Sequence, residues 1–148
     1  MDVRDVLQSV TGLLNSYAVL SDNQININVE KDCIISINRI EFKQLLMNII
    51  KNALEASVDG KTVSVISNRN DQYIEIKIID EGCGMSEAEV KSLGTPFYTL
   101  KSNGTGLGLM ICFNIVEQYD GEIVYTSAKG KGTTVTIRFP VANEPNRL

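Results

Sequence analysis

Apolar side chains recur at three- and four-residue intervals through Val3, Val6, Leu7, Val10, Leu13, Leu14 and Tyr17, which predicts an amphipathic helix over residues 3–19. Ser21-Asp22-Asn23 interrupts it, and Ile25, Ile27 and Val29 then alternate with polar residues as in a strand. A short second strand is predicted from Cys33 to Ile37. Helical spacing returns with Phe42, Leu45, Leu46, Ile49, Ile50 and Ala53, giving a helix over 40–56. Asp59-Gly60 is a turn signal before a strand at 62–68, and Asn70-Asp71 turns into a partner carrying Ile74, Ile76 and Ile78 on one face. The pair reads as a hairpin with one buried side. Ser86 followed by Glu89 forms a capping-box pattern for a short helix. Residues 94–106 hold three glycines and a proline and read as a loop. Leu107 to Tyr119 is apolar on most sides, a buried helix. Asp120-Gly121 leads into a strand at 122–127. Gly130-Lys131-Gly132 leads into a last strand where Thr133, Val135, Ile137 and Phe139 alternate with Thr134, Thr136 and Arg138. The polar tail, 141–148, is expected to fray.

Three long helices interleaved with five or six strands layer most simply as an α+β sandwich, the helices on one face of a mixed, mostly antiparallel sheet of about five strands. The 148 residues suit a single domain, 1–148, with no repeat or linker. Composition then removes whole classes of chemistry. The chain has no histidine, so Ser-His-Asp and Cys-His catalysis, His-ligated zinc and an imidazole pH switch are excluded. Its net charge of −4 argues against nucleic acid as a partner. Apolar runs are too short to span a bilayer and the N-terminus does not read as a signal peptide. Three widely spaced cysteines, Cys33, Cys83 and Cys112, suit reduced thiols in a cytoplasmic protein, with Cys83 expected to be packed and inert.

Four constellations remain as candidate chemistry. Asn48 and Asn52 lie one helical turn apart and project from one face, round from the apolar stripe. An amide oxygen there suits a hard cation such as Mg²⁺, and the bland alternative is a pair of exposed or capping asparagines. Asp80, at the end of a buried strand and followed by Gly82 and Gly84, suits a pocket in which the carboxylate accepts from an exocyclic amine and the glycines let a flat ring approach. A tight turn with a capping Asp fits equally well. Gly104-Thr105-Gly106-Leu107-Gly108 enters a helix, where backbone N–H groups favour an anion. It matches neither the Rossmann fingerprint nor a Walker A loop. Lys101 lies just upstream. Gly130-x-Gly132-Thr133 taken alone is a hairpin turn.

Taken in order, these motifs resemble the ATP-binding catalytic domain of sensor histidine kinases, in the GHKL superfamily that also holds type II topoisomerases, heat-shock chaperones and mismatch-repair ATPases. Asn48-Ile49-Ile50-Lys51-Asn52-Ala53 is similar to the N box, and Asp80 to Met85 to the first glycine box. Pro96-Phe97-Tyr98-Thr99 is similar to the F box, Gly104 to Leu109 to the second glycine box, and Gly130 to Thr134 to the third. The resemblance spans about residues 3 to 140.

It implies a Bergerat-type α/β sandwich holding ATP between the N-box helix and a lid at 94–106. It implies that Asn52 ligates Mg²⁺ on the phosphates, with Asn48 and Lys51 beside it. It implies that Asp80 accepts from the adenine amine and that Thr133 supports the base through water. Tyr98, Lys101, Gly104, Thr105, Gly106, Leu107, Gly108 and Leu109 would belong to the lid and its phosphate contacts. Glu55 departs from the basic residue many family members carry there, leaving Lys51 and Lys101 as substitutes. Asn48 stands where the ATPase branches place a general-base glutamate, so no acid–base residue is expected and phosphoryl transfer is favoured over hydrolysis. The implied partners are a histidine-bearing dimerisation domain and, through it, a response regulator or phosphorelay protein. The isolated domain would be monomeric and the parent homodimeric, cytoplasmic or membrane-anchored. An anti-sigma-type serine kinase and a non-catalytic adaptor are the alternatives.

Overall fold

Strict alternation along its strands gives the sheet one apolar and one polar face. The computed structural model describes residues 1–20, 22–30, 32–57, 60–93 and 107–141. Its elements are α1 (Val3–Leu20), β1 (Gln24–Val29), α2 (Arg39–Ala56), β2 (Thr62–Arg69), β3 (Tyr73–Ile79), α3 (Glu87–Ser92), α4 (Leu107–Gln118), β4 (Glu122–Ser127) and β5 (Thr133–Pro140). The sheet order is β1-β2-β3-β5-β4, with β1 parallel to β2 and the other pairs antiparallel. A parallel pair needs a crossover, and α2 supplies it.

Val63 and Val65 of β2, Ile74, Ile76 and Ile78 of β3, and Val135, Ile137 and Phe139 of β5 are buried. The residues between them turn outward, where Arg138 donates to Glu75 at 2.8 Å and stacks over Tyr73. On the apolar face α1 packs against β1, α2 against β2 and β3, and α4 against β4. Phe42 meets Phe139 edge to face at 6.2 Å, pinning α2 to the middle of the sheet. Removing this apolar surface from water is the main force holding the layers together.

Caps fix where helices begin. Asn38 Oδ1 accepts from the N–H groups of Ile40 and Glu41, so α2 starts at Arg39. Ser86 and Glu89 form the reciprocal capping box predicted for α3. The Ser86 N–H and Lys129, 2.9 Å away, hold the Glu89 carboxyl down to about 2.

One predicted element is corrected. Cys33 to Ile37 is not a strand but carries a single bridge, Asp2 to Ile34. Its backbone pairs with the first residues of the chain, Val3 N–H to Cys33 O at 2.9 Å and Ile35 N–H to Met1 O at 3.0 Å. The alternation is real, since Cys33 and Ile35 are buried, but the partner is too short for a ladder. The turn residue Asp59 and the tail at 142–148 lie outside the described residues. Among the described residues no helix is long and apolar enough to cross a membrane.

Candidate functional site

Strand register builds the first half of the site. Ile79 pairs with Thr134 and Ser127 pairs with Thr133, so Asp80, Thr133 and Ser127 fall side by side at one end of the sheet. All three continue the inward-facing alternation of Ile78, Val135 and Tyr125, so polar side chains replace apolar ones where the core ends. Asp80 is 7% exposed. Its Oδ1 accepts from the N–H of Gly82 at 2.8 Å and of Thr133 at 3.1 Å, and its own N–H donates to the Thr133 carbonyl at 2.9 Å. Among the described residues no donor reaches Oδ2. Burial raises the Asp80 pKa, opposed by the two N–H bonds. A buried carboxyl with one oxygen pinned and one spare is an acceptor held ready for an incoming N–H.

Ser127 was not singled out by sequence. Its Oγ accepts from the Met85 N–H at 2.8 Å, donates to the Gly132 carbonyl at 3.0 Å and lies 2.8 Å from Thr133 Oγ1. Only the hairpin register marks it, six residues before Thr133 across the Gly-Lys-Gly turn.

The glycines have a packing reason of their own. A Cβ on Gly82 would lie 2.4 Å from the Ala56 carbonyl, and one on Gly84, at φ +71, would lie 1.9 Å from that of Ala128. Their missing side chains admit the protein's own backbone. Gly82 thereby seats the loop after β3 on the end of α2, one turn beyond Asn52. Cys83 in this loop is exposed, contrary to the expected packed thiol, while the glycines on either side are buried and its carbonyl accepts from Gly130 N–H.

Helix pairing builds the second half. Tyr119, near the end of α4, donates to Glu41 at the start of α2. The Cys112 thiol donates to the Leu45 carbonyl at 3.9 Å and lies beside the Asn48 side chain, and burial pushes it up to about 11. The two helices are therefore antiparallel, and one further turn brings Gly108 about level with Asn52. Asn48 and Asn52 are both half-buried, against the reading of exposed asparagines, while Lys51 is exposed. Asn48 faces α4. Gly108 and Leu109 sit half-buried in the first turn of α4, which Leu107 opens. Tyr98, Lys101, Gly104, Thr105 and Gly106, with the rest of 94–106, lie outside the described residues.

The site thus sets an acceptor, Asp80 Oδ2, at the sheet end, and an amide-bearing helix, α2, opposite a helix N-terminus, that of α4. This donor set fits a nucleotide. Among the described residues no group of three or more Cys, Asp or Glu comes together to hold a metal ion. A cation beside Asn52 would draw its other oxygens from phosphate and water, as Mg²⁺ commonly does.

Comparison with known proteins bears on the family and the fold. Residues 37–143 match the family described as histidine kinase-, DNA gyrase B- and HSP90-like ATPase. The chain is 38% identical over 140 residues to sporulation kinase B of Bacillus subtilis, covering 94% of the chain and 33% of that protein. It is 38% identical over 98 residues to the sensor histidine kinase ZraS of Escherichia coli, covering 66% of the chain and 21% of that protein. The chain therefore spans about a third or less of these relatives. In fold it is similar to the nucleotide-free catalytic domain of histidine kinase ThkA, with TM-score 0.87, 23% identity, and coverage of 95% of this chain and 93% of that one. The mycobacterial sensor histidine kinase MprB gives TM-score 0.86 at 22% identity, covering 97% of each chain.

Proposed function

The chain belongs to the histidine kinase-, DNA gyrase B- and HSP90-like ATPase family, and from that membership we propose that it is the phosphoryl-donating domain of a sensor histidine kinase, taking Mg·ATP as substrate. The observation that carries this reading is Asp80, whose buried carboxyl keeps Oδ2 for the adenine amine while Oδ1 is locked by Gly82 and Thr133. Thr133 lies beside it to support the base. Asn52 holds the cation, with Lys51 nearby, and the N–H groups at the start of α4 face the phosphates. Mg²⁺, when bound, neutralises charge on the transferring phosphate. Asn48 is turned to Cys112 and, being an amide, takes no proton, so water is not activated there. The remaining work is positioning.

The acceptor in this reading is a histidine on a dimerisation domain elsewhere in the parent protein, since this chain has none. A response regulator or phosphorelay protein receives the group from there, in the cytoplasm. Names of relatives that include sensor histidine kinases and sporulation kinases favour this over the serine-kinase and adaptor alternatives. The test is labelling of the full-length parent with γ-labelled ATP. Acid-labile, base-stable label outside residues 1–148 is expected, and acid-stable label overturns the reading.

Two substitutions probe the phosphate side. Asn52→Ala is expected to weaken Mg·ADP binding by about tenfold, near 1.4 kcal/mol, and metal-free ADP by much less. Equal losses in calorimetric titrations with and without Mg²⁺ would place the metal elsewhere. Gly108→Ala separates stability from binding. Among the described residues a Cβ there meets nothing within 4 Å, so alanine is expected to stabilise the nucleotide-free protein by about 0.5–1 kcal/mol. Affinity for ADP should fall nonetheless, because phosphate approaches that backbone. A variant that melts higher and binds unchanged would remove Gly108 from the site.

A further inference from the structure

We propose that Ser127 determines base specificity, by holding the Thr133 hydroxyl proton so that Thr133 offers only acceptor lone pairs toward the nucleotide. This rests on the reading that adenine sits at Asp80 and Thr133.

The argument is a count of protons. A serine hydroxyl has one proton and two lone pairs. Ser127 Oγ accepts the Met85 N–H at 2.8 Å and gives its proton to the Gly132 carbonyl at 3.0 Å. It also lies 2.8 Å from Thr133 Oγ1. A carbonyl can only accept, and among the described residues Ser127 is the donor that reaches Gly132 O; assigning the Ser127 proton there makes Thr133 the donor of the 2.8 Å contact. Both lone pairs of Ser127 are then filled and every group in the cluster is satisfied. The rest of Thr133 is committed too: its N–H goes to Asp80 Oδ1 and its carbonyl accepts the Asp80 N–H. Its hydroxyl lone pairs are all it has left to present.

This fixes a polarity beside the base. A water that donates one proton to Thr133 Oγ1 turns its other proton to the ligand and so serves a ring acceptor. Beside it, Asp80 Oδ2 serves a ring amine. Acceptor N1 next to donor N6–H is the edge of adenine. Guanine and hypoxanthine present the opposite pair, a carbonyl O6 and N1–H, and are refused at both atoms. Asp80 reads N6, and Ser127 acting through Thr133 reads N1. Ser127 is thus a positioning residue that links the loop after β3, the β4–β5 turn and the base.

The test uses the 148-residue chain and three probes: ADP, 1-deaza-ADP, which lacks N1, and purine riboside diphosphate, which lacks the amine. The unsubstituted protein is expected to bind each analogue about tenfold more weakly than ADP. In Ser127→Ala, Thr133 regains a rotating hydroxyl that donates or accepts. The 1-deaza penalty should fall to about threefold or less while the amine penalty stays near tenfold. Ser127→Thr, which keeps the hydroxyl, should restore the 1-deaza penalty. A structural role alone would weaken all three ligands in proportion and leave both ratios unchanged, and that outcome overturns the proposal while sparing the adenine reading. Loss of both penalties in the unsubstituted protein overturns the adenine reading itself. If Ser127→Ala does not give a cooperative melt, Ser127→Cys, a weaker donor of similar size, carries the same comparison.

Discussion

Asp80→Asn is expected to abolish nucleotide binding while leaving the fold intact. The amide oxygen of asparagine can take the place of Oδ1 and keep the N–H bonds from Gly82 and Thr133. The NH₂ group then occupies the Oδ2 position, where it faces the adenine amine donor to donor. A charge-assisted bond is lost and a repulsive contact replaces it. Together these cost about 3 kcal/mol or more, an affinity loss of at least ~100-fold. Stability should move the other way. Burial raises the Asp80 pKa in the folded protein. A raised carboxyl favours folding at pH below its unfolded value, and this contribution is lost as pH rises through the folded value. At neutral pH the ionised group therefore costs stability, and the neutral amide relieves that cost. Thermal melting at neutral pH should show Asp80→Asn equal to or above the parent, beside flat ADP titrations. Retained affinity would remove Asp80 from the base. A large drop in melting temperature would instead make its role structural.

The same two bonds show what the sequence reveals and what it hides. The periodicities locate nearly every element because each helix and strand has one apolar face, and burial is what makes the face apolar. They fail at Cys33 to Ile37, where the alternation is present but the strand partner is a single bridge residue, Asp2. Periodicity reports burial, not pairing. The chemistry-bearing residues stand out only as an ordered set, since Asp80 with its alternate glycines, taken alone, fits a tight turn equally well. What no motif displays is three-dimensional register. Ser127 is invisible because a serine at a strand end is ordinary, and only the β4–β5 hairpin brings it against Thr133 and Met85. Asn48 shows the same limit. Spacing puts it on the face of Asn52, but its partner, Cys112, comes from another helix. The glycines are legible as glycines, but their packing partners are not. Sequence says that a side chain is not tolerated, and coordinates say what fills the space.

Gly132 makes that last distinction measurable, because Gly130 sits two residues away in the same turn as a built-in control. Both have left-handed backbones, φ +79 and +78, so alanine at either is strained by about 1 kcal/mol. They differ in what surrounds them. Among the described residues a Cβ on Gly130 meets nothing within 4 Å, whereas one on Gly132 would lie 2.2 Å from the Asp80 carbonyl oxygen and 3.1 Å from its carbon. That neighbour is backbone, locked by the Asp80–Thr133 pair, and it has no rotamer to escape into. Gly130→Ala should therefore lose about 1 kcal/mol in urea denaturation and bind ADP as the parent does. Gly132→Ala should lose about 3 kcal/mol or more, since the strand ends must part to admit the methyl group. Its surviving folded fraction should bind ADP poorly, because the movement pulls the Thr133 N–H from Asp80 Oδ1 and frees the carboxyl to turn. The difference between the two stability losses is the informative quantity, since the shared dihedral cost cancels. Equal destabilisation would mean that the turn alone demands glycine and that the close approach to Asp80 carries no energy. Equal nucleotide affinity at matched folded fraction would mean that the carboxyl does not depend on this contact for its aim.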